Sequence, residues 1–338
     1  RPQSKIMSPD STSTDEPRLA AGVIGVGSMG RNHARIYSEL QDVDLVGVFD
    51  VDGHQADAVA AKYGTRPMER EALLRAADVV SIAVPTPYHY DAAMESIERG
   101  VDVLVEKPFV AEPAEGRKVI DAADRAGVTV QVGHVERFNP AVEALDDIVS
   151  DLDVIAVEAQ RLGPPRDREI QDSAVMDLMT HDIDVLLSLV DAPVESIDAV
   201  GARENRHAAA NITFADGTMA TLTASRLTQQ KIRRLAITAT EARVNVDYAN
   251  RSVEIHRHSM PEFIEENGDI RYRHESIVER PTVHNGEPLK SELASFVDAV
   301  RTGSGPVVTA ADGLRVLEVA QEIDRLAAGR RSTEVATQ

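Results

Sequence analysis

The sequence contains no cysteine, which excludes disulfides, thiolate metal sites and cysteine nucleophiles. No uninterrupted apolar run approaches the ~20 residues that a bilayer span requires, so no membrane partner is expected. The opening stretch RPQSKIMSPDSTSTDEPRLA lacks the apolar core of a secretory signal. Residues 1–18 read instead as a disordered polar tail, and a cytoplasmic location fits. Lysine is scarce: Lys5, Lys62, Lys107, Lys118, Lys231 and Lys290 are all there are, and the other basic side chains are arginines. With Asp+Glu 56 against Lys+Arg 36, the formal net charge is −20. Such a surface repels phosphate backbones, which sets nucleic acid aside as a partner. It also resembles the surface of proteins adapted to a salty cytoplasm. What the chain has in plenty is apolar residues, 43% of 338, enough for two domains with cores of their own.

From Arg18 to about His134, strand-like runs (AAGVIGV, DLVGVFD, DVVSIAVP, DVLVE, VTVQVGH) alternate with amphipathic stretches (RNHARIYSEL, HQADAVAAKYG, YDAAMESIERG, PAEGRKVIDAADRAG). That alternation implies βαβ units and an α/β fold with a doubly wound parallel sheet over residues 19–138. Ligands of such sheets bind beyond the carboxyl ends of the strands, where Gly25, Asp50, Pro85, Lys107 and His134 fall. After Asn139 the pattern changes. NPAVEALDDIV starts a helix, with Asn139 as N-cap and Pro140 at the first helical position. Consecutive strand-like runs then follow, separated by the turn signals ADGT and ATEAR. Residues 139–338 are therefore expected to form an α+β domain with a large open, mainly antiparallel sheet, closed by two amphipathic helices. On that sheet Ile212, Phe214, Met219, Thr221 and Thr223 are expected to present a face that needs covering.

GVIGVGSMGRNHA carries Gly25-x-Gly27-x-x-Gly30 between a strand and a helix. Taken alone, the glycines make a strand–helix turn and no more. In this context they allow a tight turn, close approach of a pyrophosphate and helix–strand packing. The helix N-terminus adds backbone donors for the phosphates, with Ser28 and Met29 in its first turn. Asp50 ends the second strand, placed to accept hydrogen bonds from the adenosine ribose. A carboxylate there repels a 2′-phosphate, so NAD is expected rather than NADP. Pro85, Thr86 and His89, then Glu106 and Lys107, then His134, complete the expected cofactor contacts at later strand ends.

In DSAVMDLMTHDIDVLLSLV, a step of about 100° per residue puts Asp177, Thr180, His181, Asp184 and Ser188 in one arc. A helix that is apolar on its other sides lines a polar cavity with such a stripe. Asp177 and His181, at i and i+4, are in reach of each other, and an aspartate there would fix the imidazole tautomer for general-base work. Blander readings stand beside this one: a structural hydrogen bond for the pair, and a salt bridge to Glu106 for Lys107. A zinc site on Asp177 and His181 lacks a third ligand in the pattern, and no metal is expected.

The glycine turn, Glu106-Lys107-Pro108 after the fourth of these strands, and Asp177-x-x-x-His181 together resemble the Gfo/Idh/MocA oxidoreductases, from about Leu19 to the end. The resemblance implies a dehydrogenase in which Lys107, Asp177 and His181 are catalytic and Lys107–Pro108 is typically cis. In it NAD takes hydride from a secondary alcohol, His181 takes the hydroxyl proton, Asp177 orients His181, and Lys107 stabilises the developing alkoxide. One position departs from the family pattern: Met179 stands where glycine is usual. Arg137 and Arg161 suit phosphate or carboxylate groups of a substrate, or else pair with the protein's own carboxylates. The runs GHVERFNPA, MDLMTHDID and ASRLTQQKIRRLAIT resemble the nucleotide-sugar members, UDP-N-acetylglucosamine 3-dehydrogenases among them. Inositol or free-sugar oxidation is the alternative within the family, and a non-catalytic NAD-binding sensor the alternative of another class. Family habit also implies a homodimer or homotetramer formed through the open sheet face.

Overall fold

The structure, a computed structural model, describes residues 17–165, 172–258, 262–266, 269–273 and 276–329. The expected polar tail lies almost entirely outside them.

The first half is a sheet of five parallel strands: β1 (Leu19–Ile24), β2 (Val43–Phe49), β3 (Val79–Ile82), β4 (Asp102–Glu106) and β5 (Val130–Gly133), in the order β2-β1-β3-β4-β5. Helices α1 (Ser28–Glu39), α2 (Gly53–Tyr63), α3 (Arg70–Ala76), α4 (His89–Glu98) and α5 (Pro113–Ala126) make the crossovers. Val79, Val80, Ile82, Val103, Leu104 and Val105 are fully buried. Parallel strands covered on both faces need such unbroken apolar runs. Local chemistry sets the helix ends. Asp52 caps α2 by accepting from His54 N and Gln55 N. A reciprocal Glu112/Glu115 capping box with Pro113 opens α5. Gly64 and Gly127 stop these two helices in the left-handed conformation.

The second half opens with α6 (Pro140–Val149), capped by Asn139 as expected, and continues through β6 (Val154–Leu162) and α7 (Thr180–Leu189). Strands β7 (Val194–Ala202), β8 (His207–Phe214), β9 (Met219–Ser225), β10 (Ile232–Ala239), β11 (Ala242–Asp247) and β12 (Ser252–His258) follow. After them come the pair β13 (Glu262–Glu266) and β14 (Asp269–Arg273), then β15 (Ser276–Glu279). The large sheet runs β15-β12-β11-β10-β6-β9-β8-β7. Among the described residues its neighbours pair antiparallel except β6 with β9. One face buries Val157, Ala210, Ile212, Phe214, Leu222 and Ile237 against α7 and its neighbours. Ile212 and Phe214 thus belong to the core, whereas Met219, Thr221 and Thr223 lie on the opposite, outward face beside Glu158, Gln160 and Asn245. The sequence reading had put them together. The hairpin register pairs Ile212 with Ala220 and Thr213 with Met219, and that parity sorts them to two faces.

Helices α8 (Pro288–Thr302) and α9 (Ala310–Gly329) return to the first half. Leu293, Phe296 and Val297 share a core with Ala21, Val23 and Tyr37, and Arg35 of α1 pairs with Glu287. On α9, a Cβ at Gly313 would stand 2.5 Å from Val132 of β5, a measure of how closely the helix lies on that strand. Both closing helices thus pack against the parallel-sheet half. No helix of the described residues is long and apolar enough to cross a membrane.

Candidate active site

The glycine turn joins β1 to α1. Gly25 has φ +85, and a Cβ there would come 2.7 Å from Val84. A Cβ on Gly30 would lie 1.8 Å from the Gly25 carbonyl oxygen, so only glycine lets α1 start this close to its strand. At Gly27 an added Cβ meets nothing within 4 Å, because this residue faces a cavity of about 620 Å³. Gly25, Ser28, Asp50, Arg70, Pro85 and Tyr88 also line it. Its size suits a cofactor moiety, and no side chain caps the N-terminus of α1 beneath it, which leaves backbone donors for an anion. The residues present therefore fit a dinucleotide. Asp50 is held by the glycine turn and by the residues that follow it: Oδ2 accepts from Val26 N at 2.7 Å and Gln55 Nε2 at 3.0 Å, and Oδ1 from Asp52 N at 2.9 Å. Ionised carboxylate oxygens have lone pairs beyond these for ribose hydroxyls. Met29 is exposed next to Ser28, and Thr86 opens a short 3₁₀ turn after Pro85. His89 corrects the sequence reading. It is buried, with one ring nitrogen 2.9 Å from the Pro108 carbonyl and the other 2.8 Å from that of Val84. It ties the Pro85 loop to the Lys107 turn rather than presenting a nitrogen to the cofactor.

Lys107 follows β4, and Lys107–Pro108 is cis. The Lys107 amine does not pair with Glu106. Glu106 accepts instead from His33 Nε2 at 2.9 Å, a bond from the phosphate-side helix that the sequence reading missed. Lys107 Nζ donates to the Asp177 carbonyl at 2.8 Å and lies 3.5 Å from Asp177 Oδ1. Asp177 sits in a π-helical turn, Val175–Met179, running straight into α7, where a uniform α-helix from 173 to 190 was expected. An inserted residue of this kind loosens the backbone bonding of a helix and recurs at functional sites; here the Asp177 carbonyl accepts from the lysine.

His181 opens α7 on the same side, but it does not bond Asp177. Its Nδ1 is buried without a partner, while Asp177 Oδ2 lies 2.6 Å from Arg226 Nη2. Two cations draw the carboxylate more strongly than an uncharged imidazole does. Burial, then the charges of Lys107 and Arg161, then His134 and Arg233, hold His181 well below the usual imidazole range. His134, also buried, is pushed down to about 3 by burial, Lys107 and Arg137. Both imidazoles are neutral at physiological pH.

The two arginines expected at the substrate part ways. Arg161 is buried, with Nε and Nη2 each 2.8 Å from Asp182 oxygens and Nη1 2.8 Å from Glu136, and its guanidinium lies over Tyr248. It is a structural ion pair, and its assignment to substrate is withdrawn. Arg137 is half-buried and reaches Asp184 Oδ1 at 3.4 Å; burial raises Asp184 to about 7. Arg226 had no motif to betray it. Its only sequence signal was a basic run, ASRLTQQKIRR, starting where a strand ends.

Comparison with known proteins agrees with this geometry. Residues 19–134 match a family model described as oxidoreductase family, NAD-binding Rossmann fold. Residues 155–245 match the GFO/IDH/MocA C-terminal domain. The chain is 31% identical to the UDP-N-acetylglucosamine 3-dehydrogenase of Acidithiobacillus ferrooxidans, over 90% of this chain and 96% of that one. A solved structure of that name from the same organism superposes with a TM-score of 0.83 at 30% identity, covering 92% of this chain and 98% of the other. An inositol 2-dehydrogenase of Rhizobium meliloti is 26% identical over 93% of this chain and 98% of its own length.

Proposed function

The chain belongs to the Gfo/Idh/MocA oxidoreductase family, and on that premise we propose that it oxidises a ring hydroxyl of a nucleotide sugar, UDP-N-acetylglucosamine at its 3-position. It is an NAD-dependent dehydrogenase acting on CH–OH groups, so the alternative of a non-catalytic sensor falls away. The observation that carries the proposal is the meeting of Lys107, Asp177 and His181 from distant parts of the chain, on a turn that His33 ties to the dinucleotide helix. Gly25, Gly27, Ser28 and Asp50 would hold NAD, which supplies the hydride acceptor. The neutral His181 imidazole takes the hydroxyl proton. Lys107 Nζ makes the hydroxyl easier to ionise by favouring the alkoxide. The cations Lys107, Arg137, Arg226 and Arg233 gather here, three of them facing Asp177 or Asp184. The nucleotide sugar is favoured over a neutral polyol by the 31% identity, over 90% of this chain, to a UDP-N-acetylglucosamine 3-dehydrogenase.

The test is NADH formation from UDP-N-acetylglucosamine, UDP-glucose, glucose and myo-inositol, each with NAD. Preference for the N-acetylated nucleotide sugar is expected. Turnover confined to myo-inositol or glucose would replace this substrate with a free polyol. The outward face of the large sheet remains the surface proposed for a homodimer or homotetramer, to be checked by sedimentation.

A further inference from the structure

Arg226 stands just beyond β9, with its side chain 9% exposed and its Nη2 2.6 Å from Asp177 Oδ2. Its Nη1 donates to the Asp172 carbonyl, and its backbone N–H to the Arg206 carbonyl at 2.9 Å. One guanidinium thus holds Asp172, ahead of the π turn, by a hydrogen bond and Asp177, within it, by charge, and is itself fixed by the sheet. We propose that Arg226 is a positioning residue for the dehydrogenation, holding the Asp177 carboxylate off His181 and sharing it with Lys107.

The charges explain why this matters. Among the described residues two cations face this carboxylate, and Arg226 at 2.6 Å is the nearer, with Lys107 at 3.5 Å. Coulomb attraction falls with distance, so of these two cations Arg226 holds the Asp177 carboxylate the more strongly. Lys107 keeps much of its field for the oxygen that is losing its proton. Without Arg226 the carboxylate would close on Lys107 and cancel that field, or swing to His181 and raise its proton affinity. Arg226 acts on the reacting atoms through Asp177. The groups around His181 are Lys107 after β4, His134 after β5, Arg161 on β6 and Arg233 on β10, besides Asp177. The inference rests on the dehydrogenase roles of Lys107 and His181 but not on the identity of the sugar.

The experiment compares wild type with Arg226→Gln and Arg226→Lys, alone and combined with Asp177→Asn. The substrate is UDP-N-acetylglucosamine, or whichever sugar of the panel above the wild type oxidises, so a wrong sugar leaves the test standing. For Arg226→Gln, kcat is expected to fall about 100-fold with KM within about 3-fold, while Arg226→Lys recovers most of the loss. Against an Asp177→Asn background the glutamine is expected to cost nothing further. A readout without cofactor or sugar is the ring-nitrogen NMR titration of His181, assigned through His181→Asn, which should move to higher pH in Arg226→Gln. Should Arg226→Ala melt early, added guanidinium should restore its rate. Wild-type kcat in Arg226→Gln would overturn the proposal. So would a loss confined to KM, an equal loss on the Asp177→Asn background, or an unmoved His181.

Discussion

Lys107 and His181 are each asked to act on one proton. Lys107→Ala and His181→Asn should each lower kcat by about 1000-fold, with NADH binding, followed by its fluorescence, unchanged. Full rate in either variant would remove that residue from the chemistry. His134 makes a pH prediction. Folded, it is held down to about 3 from an ordinary 6.5, so between those values the unfolded chain binds the extra proton. The stability contributed by keeping His134 neutral is therefore present above pH 6.5 and lost as pH falls toward 3. His134→Asn should flatten that acid limb in thermal melts, and an unchanged slope would count against it. At this scale Lys107, Asp177 and His181 were legible because each belongs to a short pattern. Arg226 and the burial of Arg161 were not, since both depend on which strands become neighbours in the large sheet.

The glycine turn separates two roles that one motif runs together. In Gly27→Ala the new methyl points into the cavity, where no protein atom lies within 4 Å. The melting temperature should hold within a few degrees while NADH affinity falls by about 10-fold or more, as lost backbone–phosphate contacts imply. In Gly30→Ala the methyl would stand 1.8 Å from the Gly25 oxygen, so α1 must move and melting itself should drop. Equal effects of the two on binding and melting would refute the distinction. The parallel strands and the helices α1, α2, α4 and α5 were readable from periodicity, but the short α3, Arg70–Ala76, was not. The π turn at Val175–Met179 was not, because residues i and i+4 stay on one side of a helix with or without the extra residue. The two faces of β8 and β9 were misread for a related reason: alternation is plain within a strand, but the register across the turn sets its phase.

For the whole molecule, charge and topology matter most. A net charge of −20 repels itself in the folded state, and dissolved salt screens that repulsion. Melting temperature should climb as KCl is raised from tens of millimolar toward molar; a flat or falling curve would undo the reading of the surface as salt-adapted. Two sheets in sequence were visible from the change of pattern at Asn139. The return of the closing helices was not, since an amphipathic helix shows that it has a partner but not which one. That return has a consequence for biosynthesis. The nucleotide sheet leaves the ribosome before the large sheet, yet Leu293, Phe296 and Val297, which complete its wall beside Tyr37, are translated only after that second sheet. A nascent chain paused midway therefore carries an unfinished apolar flank, the kind of surface that chaperones hold until translation is done.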